Sequence, residues 1–105
     1  MHKTLVTGLG LIAALLAGVQ PAVAQDEAGI ASGKAVYLEN CAVCHGETLV
    51  PTPPAADLKR LRPEQRARFN TVVMNGLAPE MPPWKGIVTE PQLDQLWAFI
   101  QASRR

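Results

Sequence analysis

The chain has 105 residues and carries 10 Lys and Arg against 9 Asp and Glu, a formal net charge of +1. This length accommodates one small domain at most, and such a balanced charge gives no electrostatic reason to expect nucleic-acid binding. A domain this small commonly depends on a disulfide, a metal or a cofactor for stability. Its 2 cysteines lie too close together in sequence to close a long loop.

The N-terminus has the pattern of an export signal. His2 and Lys3 precede an apolar stretch from Leu5 to Val19, and Ala22-Val23-Ala24 forms a small-x-small cleavage site. The apolar stretch is shorter than the roughly 20 residues of a membrane span, which favours a cleaved signal over a retained anchor. We therefore expect a signal peptide at 1–24, a mature domain at 25–105 and a periplasmic location.

The first two helices are predicted on either side of a proline-rich loop. One spans Gly29 to Asn40, with Ser32-Gly33 as an alternative start. The other begins at Pro63, a residue suited to the first turn of a helix, and ends near Met74, before the stop signal Asn75-Gly76. Between them, three prolines among residues 51–54 exclude both a helix and a central strand.

The last helix carries the clearest local signals. Thr89 can cap it, with Gln92 completing a capping box and Pro91 tolerated in the first turn. Apolar residues then recur at helical spacing and predict one buried stripe: Leu93, Leu96, Trp97 and Ile100. No segment alternates with a period of two, so the predicted fold class is all-α.

The segment ENCAVCHGE, residues 39–47, admits three chemistries. A thioredoxin-like dithiol belongs beside a βαβ unit, which this all-helical pattern lacks. A structural zinc site requires four ligands, and no Cys or His follows His45. The third is C-x-x-C-H haem attachment, in which Cys41 and Cys44 form thioethers with the haem and His45 ligates the iron. Attachment after export agrees with the signal peptide.

The second axial position of the iron has two methionine candidates. Met74 lies near the end of a predicted helix, where a methionine more often packs in the core. Met81 lies in the loop PEMPPW, whose prolines would fix the backbone around one presented side chain. We therefore predict His45 and Met81 as axial ligands, and a thioether ligand raises the reduction potential.

Two segments resemble class I cytochromes c. The run GKAVYLENCAVCHGE resembles their haem-binding start, and NGLAPEMPPWKGIVTEPQLDQLWAFI resembles their methionine loop and final helix. The stretch ADLKRLRPEQRARFNTVVMNGLAPEMPPW is similar to the cytochrome domain of quinohaemoprotein alcohol dehydrogenases. The resemblance covers essentially the whole mature chain. It implies a small cytochrome c fold, with three to four helices and long loops wrapped around one covalently bound haem c.

The resemblance also implies contacts around this haem. Gly33 and Tyr37 would form the close contact between the first and last helices, with Trp97 as the partner aromatic. A proline after the motif would offer its carbonyl to the second ring nitrogen of His45, and three compete for this role: Pro51, Pro53 and Pro54. Trp84 would pack against the haem or the loop beneath it, or else serve as an ordinary core aromatic.

The function implied is electron transfer by a monomer that is not an enzyme. The resemblance makes a quinoprotein (PQQ) dehydrogenase the expected donor, and an oxidase or another cytochrome the expected acceptor. Two alternatives stay open. One is a haem subunit of a larger dehydrogenase or oxidase complex. The other is a haem enzyme or gas-binding protein, which would require an open distal position on the iron.

Overall fold

The computed structural model describes residues 22–104. The regular secondary structure of these residues is helical, and the β-structure among them is limited to isolated bridges. The α-helices of this part of the chain are α1 (Ala22–Asn40), α2 (Ala42–His45), α3 (Arg66–Asn75) and α4 (Glu90–Ala102). Short 3₁₀ helices at Leu58–Arg60 and Pro63–Gln65 interrupt the long connection before α3. The all-α prediction is confirmed.

The predicted helix boundaries agree with the structure better at the C-termini than at the N-termini. Within the described residues, helix α1 already includes Ala22, ahead of the predicted start at Gly29, because the alanines, Gln25 and Glu27 all favour a helix. Pro63 opens a 3₁₀ turn, and the α-helix proper follows from Arg66. Gly76 ends α3 as predicted, with φ 76° at the C-cap.

The predicted cap of α4 is confirmed in full. The backbone N–H of Gln92 donates to Thr89 Oγ1 at 3.2 Å, and the N–H of Thr89 donates to Gln92 Oε1 at 2.9 Å. These reciprocal bonds satisfy two of the backbone donors that a helix N-terminus otherwise leaves without partners.

The core lies where α1 crosses α4 and α3 packs beside them. Gly33 permits the crossing, because a Cβ on this residue would lie 1.9 Å from the carbonyl oxygen of Gln95. The close contact predicted for Gly33 and Tyr37 is therefore present. The side chains that are almost completely buried are Tyr37, Leu93, Leu96 and Ile100.

The aromatic partner of Tyr37 is Phe99, so the expectation of Trp97 was wrong. The Tyr37 and Phe99 rings lie 5.3 Å apart between centroids, whereas Trp97 lies 5.1 Å from Phe69 of α3. Residues two positions apart project from nearly opposite sides of a helix, so Trp97 and Phe99 cannot both face α1. Arg66 covers the Trp97 ring and pairs with Asp94.

The predicted signal peptide lies outside the described residues except for 22–24, which begin α1. Within residues 22–104, no helix combines the length and the apolarity needed to cross a membrane.

Candidate functional site

The C-x-x-C-H segment forms a helical turn that continues almost directly from α1. The N–H of Cys41 donates to the Tyr37 carbonyl at 2.8 Å, and the N–H of His45 donates to the Cys41 carbonyl at 3.0 Å. Gly46 ends the turn with φ 92°. Helical geometry therefore brings the two cysteines and the histidine together on one short element.

The two cysteines are free thiols in different surroundings. Cys41 is half-buried and Cys44 is exposed. Burial raises the pKa of the Cys41 thiol to about 11. A redox-active dithiol depends on a lowered thiol pKa, so this environment argues against the thioredoxin-like chemistry.

The imidazole of His45 is oriented by a backbone carbonyl. Its Nδ1 lies 2.9 Å from the carbonyl oxygen of Ala56. A carbonyl only accepts hydrogen bonds, so Nδ1 carries the hydrogen and the neutral ring keeps the lone pair on Nε2, as an iron ligand requires. The carbonyl that holds His45 thus belongs to Ala56, and the expectation of Pro51, Pro53 or Pro54 was wrong.

The position of this acceptor follows from the path of the loop. The N–H of Thr52 donates to the Cys44 carbonyl at 3.0 Å. This bond holds the proline-rich segment beside the motif. The chain reaches the imidazole only afterwards, just before Asp57 caps the 3₁₀ helix Leu58–Arg60. Every residue carries a carbonyl, so no side chain in the sequence marks Ala56 as the acceptor.

The loop that bears Met81 is closed by main-chain bonds. Leu77 and Met81 form an isolated antiparallel bridge, with N–H···O distances of 2.9 and 3.0 Å. Gly76 lies against the returning chain, because a Cβ there would meet the Met81 carbonyl oxygen at 2.7 Å. The next residues dock on α3: the N–H of Trp84 donates to the Val73 carbonyl at 2.9 Å.

Both candidate methionines are half-buried and pack against the core cluster. Met74 lies within α3, whereas Met81 lies in the loop. Burial therefore does not distinguish them, and the preference for Met81 as the second axial ligand stays a prediction. Trp84 is also half-buried and packs against the core cluster.

The donor set fits a haem better than a bare metal ion. Among residues 22–104, no three His, Cys, Asp or Glu side chains are grouped to hold a metal, so iron here would need a macrocycle. Large apolar side chains are exposed in the motif, in the loop that follows it and in the loop that bears Met81. They are Val43 (87%), Val50 (66%) and Leu77 (52%). Exposed apolar surface of this kind suits an apolar ligand.

These features define a class of protein, the c-type cytochrome domain. The profile of the family described as "Cytochrome C oxidase, cbb3-type, subunit III" matches residues 28–100. The chain belongs to this family, and the resemblance to class I cytochromes c is confirmed. It is accordingly a haem electron-transfer protein whose cofactor is a covalently attached haem c.

Curated relatives show the same relationship at about one-third identity. Quinohemoprotein alcohol dehydrogenase ADH-IIG of Pseudomonas putida is 32% identical over 81 residues, which cover 76% of this chain and 11% of the dehydrogenase. Cbb3-type cytochrome c oxidase subunit CcoP of Azospirillum sp. (strain B510) is 32% identical over 87 residues, covering 73% of this chain and 29% of the subunit.

A second subunit CcoP, from Azospirillum brasilense, is 31% identical over 84 residues, covering 71% of this chain and 28% of the subunit. The chain therefore spans less than a third of the length of these relatives. No solved structure matches it.

Proposed function

We propose that the chain is an exported one-electron carrier whose haem is joined to Cys41 and Cys44 and ligated by His45 and Met81. The observation that carries this proposal is the hydrogen bond from His45 Nδ1 to the Ala56 carbonyl at 2.9 Å. It directs the lone pair of the neutral imidazole to Nε2 and fixes the ring, as the hydrogen-bond partners of metal-ligating histidines do.

Each residue has a separate part in this proposal. The bound haem supplies a one-electron couple between Fe(III) and Fe(II). His45 and Met81 would ligate the iron in both states, so little reorganisation would accompany transfer. Cys41 and Cys44 keep the group attached through thioether bonds. No substrate bond is made or broken, so we propose no catalytic residue and no enzymatic activity.

Optical spectroscopy of the purified protein tests the two-ligand claim. After reduction with ascorbate, the protein should show a low-spin spectrum with sharp α and β bands. It should not bind carbon monoxide at neutral pH, because Met81 occupies the distal position. A five-coordinate, high-spin spectrum or ready carbon monoxide binding would instead favour a haem enzyme or a gas-binding protein.

Met81→Ala and Met74→Ala form a matched pair for assigning the distal ligand. Met81→Ala should open the distal position and lower the reduction potential, because thioether ligation raises that potential. Met74→Ala removes the same side chain from a comparably buried site and should lower stability while leaving the spectrum intact. The reverse pattern would assign the ligand to Met74.

For location and partners, we propose a periplasmic monomer between a quinoprotein (PQQ) dehydrogenase and a terminal oxidase or another cytochrome. The similarity to a quinohemoprotein alcohol dehydrogenase supports the donor. The haem of the purified protein should be reduced rapidly by such a dehydrogenase and its alcohol substrate. Failure to accept these electrons would exclude the donor without affecting the proposed haem ligation.

A second candidate is a haem subunit of a larger complex. The family match and the similarity to oxidase subunits favour it specifically. Mild detergent extraction followed by size exclusion distinguishes the two proposals. A free carrier elutes alone in the soluble fraction, whereas a subunit co-elutes with oxidase or dehydrogenase polypeptides.

A further inference from the structure

Tyr37 places a hydroxyl inside the tightest helix contact of the fold. Its side chain has 0% relative exposure and lies against Phe99, one helical turn after the close approach at Gly33. A phenylalanine would fill the same space with nearly the same apolar area. The hydroxyl therefore needs a reason of its own, since a buried tyrosine O–H normally serves a specific hydrogen bond.

The hydroxyl donates to the residue that directly follows His45. Tyr37 Oη lies 2.5 Å from the carbonyl oxygen of Gly46, and the N–H of Leu49 reaches the same oxygen at 3.2 Å. The N–H of Gly46 is already bonded to the Ala42 carbonyl at 2.8 Å. The tyrosine thus joins the α1–α4 core to the peptide group between Gly46 and Glu47, one residue beyond His45.

The segment that receives this bond is tightly folded. Gly46 has φ 92°, and a Cβ on it would lie 2.0 Å from the Val50 carbonyl oxygen. Leu49 adopts φ 65°, an unfavourable region for a residue with a branched side chain. A turn under this strain persists only where surrounding contacts stabilise it. The hydrogen bond from the Tyr37 hydroxyl is such a contact, and it comes from outside the turn.

We propose that Tyr37 is a positioning residue for His45. It fixes the main chain after His45 as the Ala56 carbonyl fixes the ring, so the imidazole is held at two points from two different elements. The inference rests on the proposed ligation of iron by His45. Tyr37 itself would contact neither the iron nor the ring nitrogens of His45.

Loss of the hydroxyl has a defined consequence for the haem. Without it, the Gly46 carbonyl keeps only the longer bond from Leu49 and becomes available to water. Water nearer the proximal side favours the more highly charged Fe(III) state, so the reduction potential should fall. The hydroxyl is a donor over the physiological pH range, because burial raises the pKa of Tyr37 to about 12.

The test compares haem-loaded Tyr37→Phe with the wild-type protein. We expect the redox equilibrium constant to shift at least threefold toward Fe(III), about 28 mV at 59 mV per tenfold for one electron. The paramagnetically shifted proton signals of the His45 ring in the Fe(III) protein should also move. Ile100→Val is the control, because it trims a buried side chain of α4 that forms no hydrogen bond with Gly46.

The control separates positioning from stability. Ile100→Val should lower the denaturation midpoint while leaving the potential and the His45 signals at their wild-type values. If Tyr37→Phe changes only the denaturation midpoint, or if both variants shift the potential alike, the inference is overturned. A wild-type protein without an imidazole-ligated haem would overturn the proposed function itself, and its spectrum shows this before any variant is compared.

Discussion

The segment that bears His45 and the loop that bears Met81 are held by different kinds of contact. The ring of His45 donates a hydrogen bond to the Ala56 carbonyl, and the residue after it is held by a buried tyrosine. Met81 is located by its backbone bridge to Leu77, and its loop by main-chain bonds to the end of α3. One side chain is oriented directly, and the other is presented by the path of the chain.

This difference bears on how the two proposed ligands behave. A thioether is a weak hydrogen-bond acceptor on a flexible side chain, so main-chain placement and apolar packing are what can hold it. An imidazole has a second nitrogen through which its orientation can be fixed. We therefore expect the bond from iron to Met81 to break before the bond to His45 as the protein is denatured.

The largest effect should come from Gly46→Ala, on the His45 side. The alanine would have to adopt φ 92°, which is unfavourable for a residue with a side chain. Its Cβ would also lie 2.0 Å from the Val50 carbonyl oxygen. Left-handed strain and displaced backbone together should cost about 3 kcal/mol or more. The measurement is the free energy of unfolding in guanidinium, together with the fraction of purified chain that carries covalent haem. An unchanged midpoint would show that this turn is not tight.

The second-largest effect should be a loss of folding stability at alkaline pH, caused by ionisation of Tyr37. Its folded pKa of about 12 exceeds the ordinary value of 10, so the stability it contributes is complete below pH 10 and is lost as the pH rises toward 12. The loss is at most about 3 kcal/mol for a shift of this size. Unfolding midpoints measured across this range should fall more steeply for the wild-type protein than for Tyr37→Phe.

This comparison is clean because the chain contains 1 tyrosine. The other ionisable side chains are common to both proteins, so their contributions to the difference in slope cancel. Equal slopes for the two proteins would contradict the assignment of the alkaline loss to Tyr37.

A smaller loss is expected from Gly76→Ala, on the Met81 side. The residue has φ 76°, and its Cβ would meet the Met81 carbonyl oxygen at 2.7 Å, a less severe approach than at Gly46. We expect about 2 kcal/mol of destabilisation and weakened Met81 ligation in the reduced spectrum. Gly86→Ala is the control, since Gly86 has φ 87° with no neighbouring atom within 4 Å. It should cost about 1 kcal/mol by strain alone and leave ligation unchanged.

The sequence predicts the parts of this molecule that local chemistry determines. The motif on its helical turn, the stop at Gly76 and the capping box of Thr89 with Gln92 each depend on residues within a few positions of one another. Their side-chain and backbone preferences survive in the folded chain because tertiary contacts reinforce them.

What the sequence does not predict depends on how distant segments meet. Phe99 rather than Trp97 faces Tyr37, and Trp97 faces Phe69; periodicity alone does not show which side of α4 meets α1. The acceptor for His45 is a backbone carbonyl, which every residue provides, so the role of Ala56 emerges only from the folded loop. The bond from Tyr37 to Gly46 likewise joins two segments that no local pattern connects.

The smallest effect, and the finest separation of the two sides, should come from two helix caps. Asp57 follows Ala56 and accepts the N–H of Lys59 at 3.0 Å, and Thr89 caps α4. Asp57→Ala and Thr89→Ala should each cost about 1 kcal/mol or less of unfolding free energy. Only Asp57→Ala releases the backbone beside the carbonyl that orients His45, so only this variant should shift the reduction potential. If Thr89→Ala shifts it equally, the His45 side is not held separately from the rest of the fold, and the contrast between the two ligand segments fails.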